Sequence, residues 1–227
     1  IERVLGTEMF EKYFNGVIEQ IYDKTTVAEQ NIVMACYNND FSVQELESVR
    51  RYSEGKDNVY FALKEYKPGT IVGAFDPFLD VIFDMYRKYI NEDFDDFLTQ
   101  CEVYELQRET LQMYYESGIC KRTEGVLLNE VSYEQKRMAK TIALMLKTVA
   151  EYQPIMLVIN RFQMASRSTI ALVNLLLEKP SDKIGIVLGA NIGRMQQEGS
   201  FAGWERLVEK LKKCNVALNN GAITKVA

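Results

Sequence analysis

The sequence predicts an α/β fold: a parallel sheet flanked by helices. Three observations carry that expectation. Short, continuous apolar runs recur along the chain, at residues 32–36, 155–159 and 184–188. A strand that is apolar at every position is one buried on both faces. Longer stretches lie between these runs, with apolar residues recurring every three or four positions, which is the helical period. The two kinds alternate, and helices alternating with fully apolar strands give a parallel sheet covered on both sides.

The elements run in order along the chain. Residues 8–23 read as an amphipathic helix, with Met9, Phe10, Tyr13, Phe14, Val17 and Ile18 on one face and Thr7 as N-cap. Residues 32–36 form the first strand. Ser42 opens a helix through Val43, Leu46 and Val49, with Glu45 at capping-box spacing. Residues 59–63 form the second strand. Pro68, Gly69 and Gly73 mark a loop over 67–74. Asp76 is then the expected N-cap of a helix with Pro77 in its first turn. Residues 94–115 read as one helix rich in acids and aromatics. Gly118 and Gly125 punctuate a weaker region. Residues 133–152 form a strong helix, with Met138, Ile142, Met145, Leu146 and Val149 on one face, and Pro154 stops it. The strand at 155–159 is the clearest in the chain. Ser166 caps a helix over 167–177. A strand at 184–188, a helix at 204–213 and a short strand at 216–218 complete the series. Residues 1–227 are therefore expected to form one domain. Its helical block, about 76–152, is an insertion between the second and third strands. The apolar runs at 32–36, 155–159 and 184–188 are expected side by side at the centre of the sheet.

Composition narrows the chemistry. Net charge is -5 with acids and bases interspersed, whereas a surface that tracks phosphate backbones needs a basic excess. There is no histidine, which removes His-based triads and His-ligated zinc. The four cysteines, Cys36, Cys101, Cys120 and Cys214, follow no C-x-x-C pattern and read as reduced thiols of a cytoplasmic protein. No apolar run reaches the ~18 residues of a membrane span. No signal peptide is legible, and the chain opens at Ile1 without Met; a piece of a larger protein is expected. The acidic run at 91–96 lacks the alternating ligands and glycine of an EF-hand loop and reads as a solvated helix start. The many aromatics between Tyr60 and Tyr115 read as core packing.

Three segments sit where chemistry is found in α/β proteins. After the first strand comes Tyr37-Asn38-Asn39-Asp40-Phe41-Ser42-Val43-Gln44. At this junction a P-loop NTPase carries G-x-x-x-x-G-K-[ST], whose backbone N–H groups, lysine and hydroxyl grip phosphates and Mg²⁺. The spacing fits. However, Tyr37 and Ser42 replace the glycines, Val43 the lysine and Gln44 the Ser/Thr. No Lys or Arg occurs from Thr25 to Val49. The second segment, residues 154–177, has an apolar strand ending in Asn160-Arg161, then Gln163, Ala165, Ser166-Arg167-Ser168 and an apolar helix. The third is Ile184-Gly185-Ile186-Val187-Leu188-Gly189-Ala190-Asn191.

The second segment resembles the Walker-B region of the signal-transduction ATPases with numerous domains, the AAA-related P-loop ATPases of large bacterial regulators. Two further echoes extend the resemblance: Val4-Leu5-Gly6-Thr7-Glu8 ahead of a helix, and Ala74-Phe75-Asp76-Pro77-Phe78 at the entry to the helical segment. The resemblance implies a sheet of P-loop NTPase type. It also implies that Asn160 and Arg161 replace an acidic pair, so that the Mg²⁺ anchor is gone, and that Asn191 is the polar residue left at the sensor position. A chain of this kind is expected to be a non-catalytic pseudo-ATPase domain, a scaffold or switch in a multidomain bacterial signalling or transcription regulator. Its vestigial nucleotide site comprises Tyr37, Asn38, Asn39, Ser42, Val43, Gln44, Asn160, Arg161 and Asn191. No catalytic residue, metal or cofactor is expected. The expected partners are proteins or other domains of the same chain, with no direct nucleic-acid contact by this domain and no membrane. Two other readings stay open: a divergent ATPase using Lys24, Arg50, Asn160 and Asn191, and an interaction module unrelated to ATPases.

Overall fold

The computed structural model describes residues 32–37, 58–70, 72–118, 128–179, 181–191, 206–207, 216–219 and 222–225. For 33–37, 128–132, 191, 216–219 and 222–225 only the backbone path is described. The helices expected at 8–23 and from Ser42 lie outside the described residues. So does most of the one expected at 204–213, where Arg206 and Leu207 are helical.

The architecture is α/β. Strands β1 (Ile32–Tyr37), β2 (Tyr60–Glu65), β3 (Ile155–Asn160), β4 (Ile184–Asn191), β5 (Val216–Asn219) and β6 (Ala222–Lys225) form one sheet in the order β2-β3-β4-β1-β5-β6. The pairs β2–β3, β3–β4, β4–β1 and β1–β5 are parallel. The three apolar strands are therefore adjacent, as their composition led us to expect. All six residues of β3 are buried, which is why that run carries no polar alternation. The sheet is not wholly parallel. β6, which the sequence did not announce, turns back and pairs antiparallel with β5.

Helices α1 (Phe78–Tyr89), α2 (Phe94–Gln100), α3 (Glu105–Ser117) and α4 (Leu128–Tyr152) lie between β2 and β3, and α5 (Arg167–Glu178) comes after β3. The insertion does not build a core of its own. Phe78, Ile82 and Met85 of α1, Phe97 of α2, Leu111 of α3 and Met145 of α4 belong to the same buried cluster as Leu157 and Ile159 of β3. Each such side chain contributes on the order of 1.5–3 kcal/mol by leaving water. The aromatics pack on one another. Phe94 stacks on Tyr115 at 4.2 Å between ring centroids, and Phe83 and Tyr86 meet Phe94 edge-on.

Two expected features are corrected. Residues 94–115 are not one helix. The chain leaves α2 with Glu102 at φ 53, the Glu102 N–H donating to the Thr99 carbonyl and the Val103 N–H to the Leu98 carbonyl. This is a Schellman closure with glutamate in the left-handed position usually held by glycine. Buried Val103 supplies its hydrophobic contact. Nor does Asp76 cap α1. Pro77 is the capping residue and makes no side-chain cap bond. The Asp76 carboxylate turns back instead, accepting the Gly73 N–H at 2.7 Å and the Tyr114 hydroxyl at 2.9 Å. A Cβ on Gly73 would run into that carboxylate. At α5 the expectation holds: Ser166 Oγ accepts the Thr169 N–H at 3.2 Å.

Candidate functional site

In an open parallel sheet, ligands bind beyond the carboxyl ends of the strands, where the direction of winding reverses. Here the chain passes from β1 to β2 at the far edge, then steps back through β3 and β4, and crosses β1 to reach β5. The carboxyl ends of β1, β3 and β4 therefore form the candidate site. The register fixes their levels. Leu188 is opposite both Ile159 and Met34, and Asn191 is opposite Tyr37. Asn160 lies one residue beyond the Leu188 level, while Tyr37 and Asn191 lie three beyond it. Three of the predicted site positions, Tyr37, Asn160 and Asn191, are thus brought to one edge of the sheet. The turn bearing Asn38, Asn39, Ser42, Val43 and Gln44 lies outside the described residues.

At the end of β3 the chemistry is legible atom by atom. Asn160 is 2 % exposed, so both ends of its amide need partners. Nδ2 donates to Glu65 Oε1 at 3.1 Å, and Oδ1 accepts the backbone N–H of Arg161 at 2.9 Å. Arg161 itself takes a left-handed conformation, φ 57, which costs an L-residue roughly 1–2 kcal/mol. Arg161 then pairs with the same Glu65, Nε to Oε1 at 3.6 Å. The Asn160 carbonyl accepts the Tyr66 N–H at 3.3 Å, continuing the β2–β3 ladder past its last strand pair. Asn160, Arg161 and Glu65 form one polar unit.

Sequence reading missed Glu65. It lies two residues past the expected end of the second strand and in no motif, and only the register places it opposite Asn160. The available signal was an acid at the carboxyl end of an apolar strand. A second unmarked unit lies nearby. The Asp76 carbonyl accepts the Tyr66 hydroxyl at 2.5 Å and the Thr169 hydroxyl at 3.0 Å, tying the loop after β2 to α5. Burial holds the Tyr66 phenol well above its ordinary range.

Among the described residues no group of three or more Cys, Asp or Glu side chains is placed to hold a metal ion. No helix among them is long and apolar enough to cross a membrane. No protein-family model matches the chain, and neither a curated protein nor a solved structure matches it.

Proposed function

We propose that this chain is a non-catalytic pseudo-ATPase domain of P-loop type, acting in the cytoplasm as a scaffold or switch within a larger regulator. The observation that carries this reading is the state of Asn160 and Arg161. They stand where the resembled family has its Mg²⁺-anchoring acids. The Asn160 amide is occupied by Glu65 and by the next backbone N–H, and the cationic Arg161 faces Glu65. A divalent cation arriving here meets a neutral amide with no charge to offer, a guanidinium that repels it, and one carboxylate, Glu65, that this guanidinium already matches. The adjacency of β3, β4 and β1 supports the P-loop reading, because that family order was the expectation.

The missing lysine, glycines and acidic pair each remove charge-assisted contacts of roughly 1.5–3 kcal/mol, which together weaken triphosphate binding by orders of magnitude. Calorimetry with ATP and Mg²⁺, and with GTP and Mg²⁺, is expected to give no saturable heat in the micromolar range. A dissociation constant at or below about 10 μM would replace the pseudo-ATPase reading with that of a working nucleotide site.

A further inference from the structure

A cleft of ≈ 210 Å³ opens beyond the carboxyl end of β2, between the turn after the strand and the start of α1. Lys64 and Lys67 line it from the strand side, and Asp76 and Asp80 from the helix side. Val72 adds apolar surface, and fully buried Ile159 lies behind it. Among the described residues, neither lysine ammonium has an ion-pair partner. The Asp80 carboxylate has only the Tyr114 hydroxyl, at 3.5 Å. The loop that forms the helix side of the cleft is fixed by other bonds. Tyr66 and Thr169 both grip the Asp76 carbonyl, while Gly73 and Tyr114 hold its carboxylate. Glu65, also at the rim, is matched by Arg161.

Two cations, Lys64 and Lys67, and one carboxylate with only a long hydrogen bond, Asp80, thus line one cleft. A simple anion would leave Asp80 unmatched, and a simple cation would leave the lysines unmatched. The volume lies below the ~300–1,000 Å³ of pockets for drug-sized ligands and suits a small one. We infer that this cleft binds a free amino acid, its carboxylate toward Lys64 and Lys67 and its ammonium toward Asp80, with a short aliphatic side chain against Val72. The charge-assisted contacts supply the affinity, and the pinned walls reduce the ordering cost of binding. The cleft adjoins the Asn160–Arg161 unit through Glu65, but the inference does not depend on the pseudo-ATPase reading.

The test is calorimetry on the whole chain with L-valine, L-leucine, L-serine and L-glutamine. Acetate and ethylamine serve as single-charge halves. At least one amino acid is expected to bind with a dissociation constant of about 1 mM or tighter, with both halves at least about tenfold weaker. Asp80→Asn and Lys67→Met lie at exposed positions, and each is expected to weaken binding about tenfold or more, the loss of one charge-assisted contact. The folded state of each variant is checked by circular dichroism. No saturable heat from any of the four at about 10 mM would overturn the inference. So would acetate or ethylamine binding as tightly as the best amino acid, or unchanged affinity in both variants.

Discussion

Asn160 shows how one buried amide can organise the end of a strand. Its two polar atoms face different neighbours, and each neighbour is the one its chemistry requires: the N–H donor meets a carboxylate and the oxygen meets a backbone N–H. Asn160→Asp removes the donor and brings a second carboxylate against Glu65. The expected outcome is a loss of about 1–3 kcal/mol in chemical denaturation. Adding Glu65→Gln is expected to recover most of it, because the new amide can donate to the introduced carboxylate. An unchanged denaturation midpoint in the single variant would show that the Asn160–Glu65 bond contributes nothing. Cys101 illustrates the opposite case, a polar group made inert by its surroundings. It is fully buried, and burial pushes its thiol up to about 11, so little thiolate exists near neutral pH.

At the scale of elements, the break between α2 and α3 is the instructive one. Helical periodicity runs through 94–115 without a glycine or proline to stop it, so the sequence reads as continuous. The stop is made instead by two backbone bonds that close over Glu102, and by Val103 entering the core beside Leu98. The gain from burying Val103 outweighs the conformational cost at Glu102. Glu102→Gly should remove that cost. Stability is expected to rise by about 1 kcal/mol, the left-handed penalty less the entropy of the added glycine. Glu102→Ala, which cannot relieve it, serves as the control. A fall in thermal midpoint for the glycine variant would contradict the closure. β2 and β4 extend past the ends expected from their apolar runs, because ladder bonds to neighbouring strands continue where hydrophobicity stops.

For the molecule as a whole, the decisive fact is the sheet order β2-β3-β4-β1-β5-β6. It brings Tyr37, Asn160 and Asn191, far apart in sequence, to one edge. It also makes the pseudo-ATPase reading testable by restoration. On that reading, Tyr37→Gly, Ser42→Gly, Val43→Lys and Gln44→Thr would give the turn a phosphate-gripping sequence with no insertion, and Asn160→Asp with Glu65→Gln would give an anchor without crowding two carboxylates. The combined variant is expected to show a nucleotide-dependent rise in melting temperature with millimolar ATP and Mg²⁺, and little turnover, because the sensor arginine and the water-positioning acid are still missing. A folded variant with no shift would remove the support for a vestigial P-loop.

The features that the sequence determined by itself were local and periodic. A strand buried on both faces must be apolar throughout, so β1, β3 and β4 announced themselves, and a cap such as Ser166 is legible because one hydroxyl meets one N–H three residues on. Asn160 and Arg161 stood out in the sequence as a polar pair at the end of an apolar run, and the structure bonds both to Glu65. The tertiary structure alone decided the partners. Glu65 reaches Asn160 across 95 residues, and Thr169 reaches the Asp76 carbonyl across 93. Lys64 and Asp80 line one cleft although they belong to different elements, β2 and α1. Such pairings depend on register and packing between elements, which no periodicity within a single element encodes. That is the physical reason the strands could be read from the chain, while the chemistry at their ends could not.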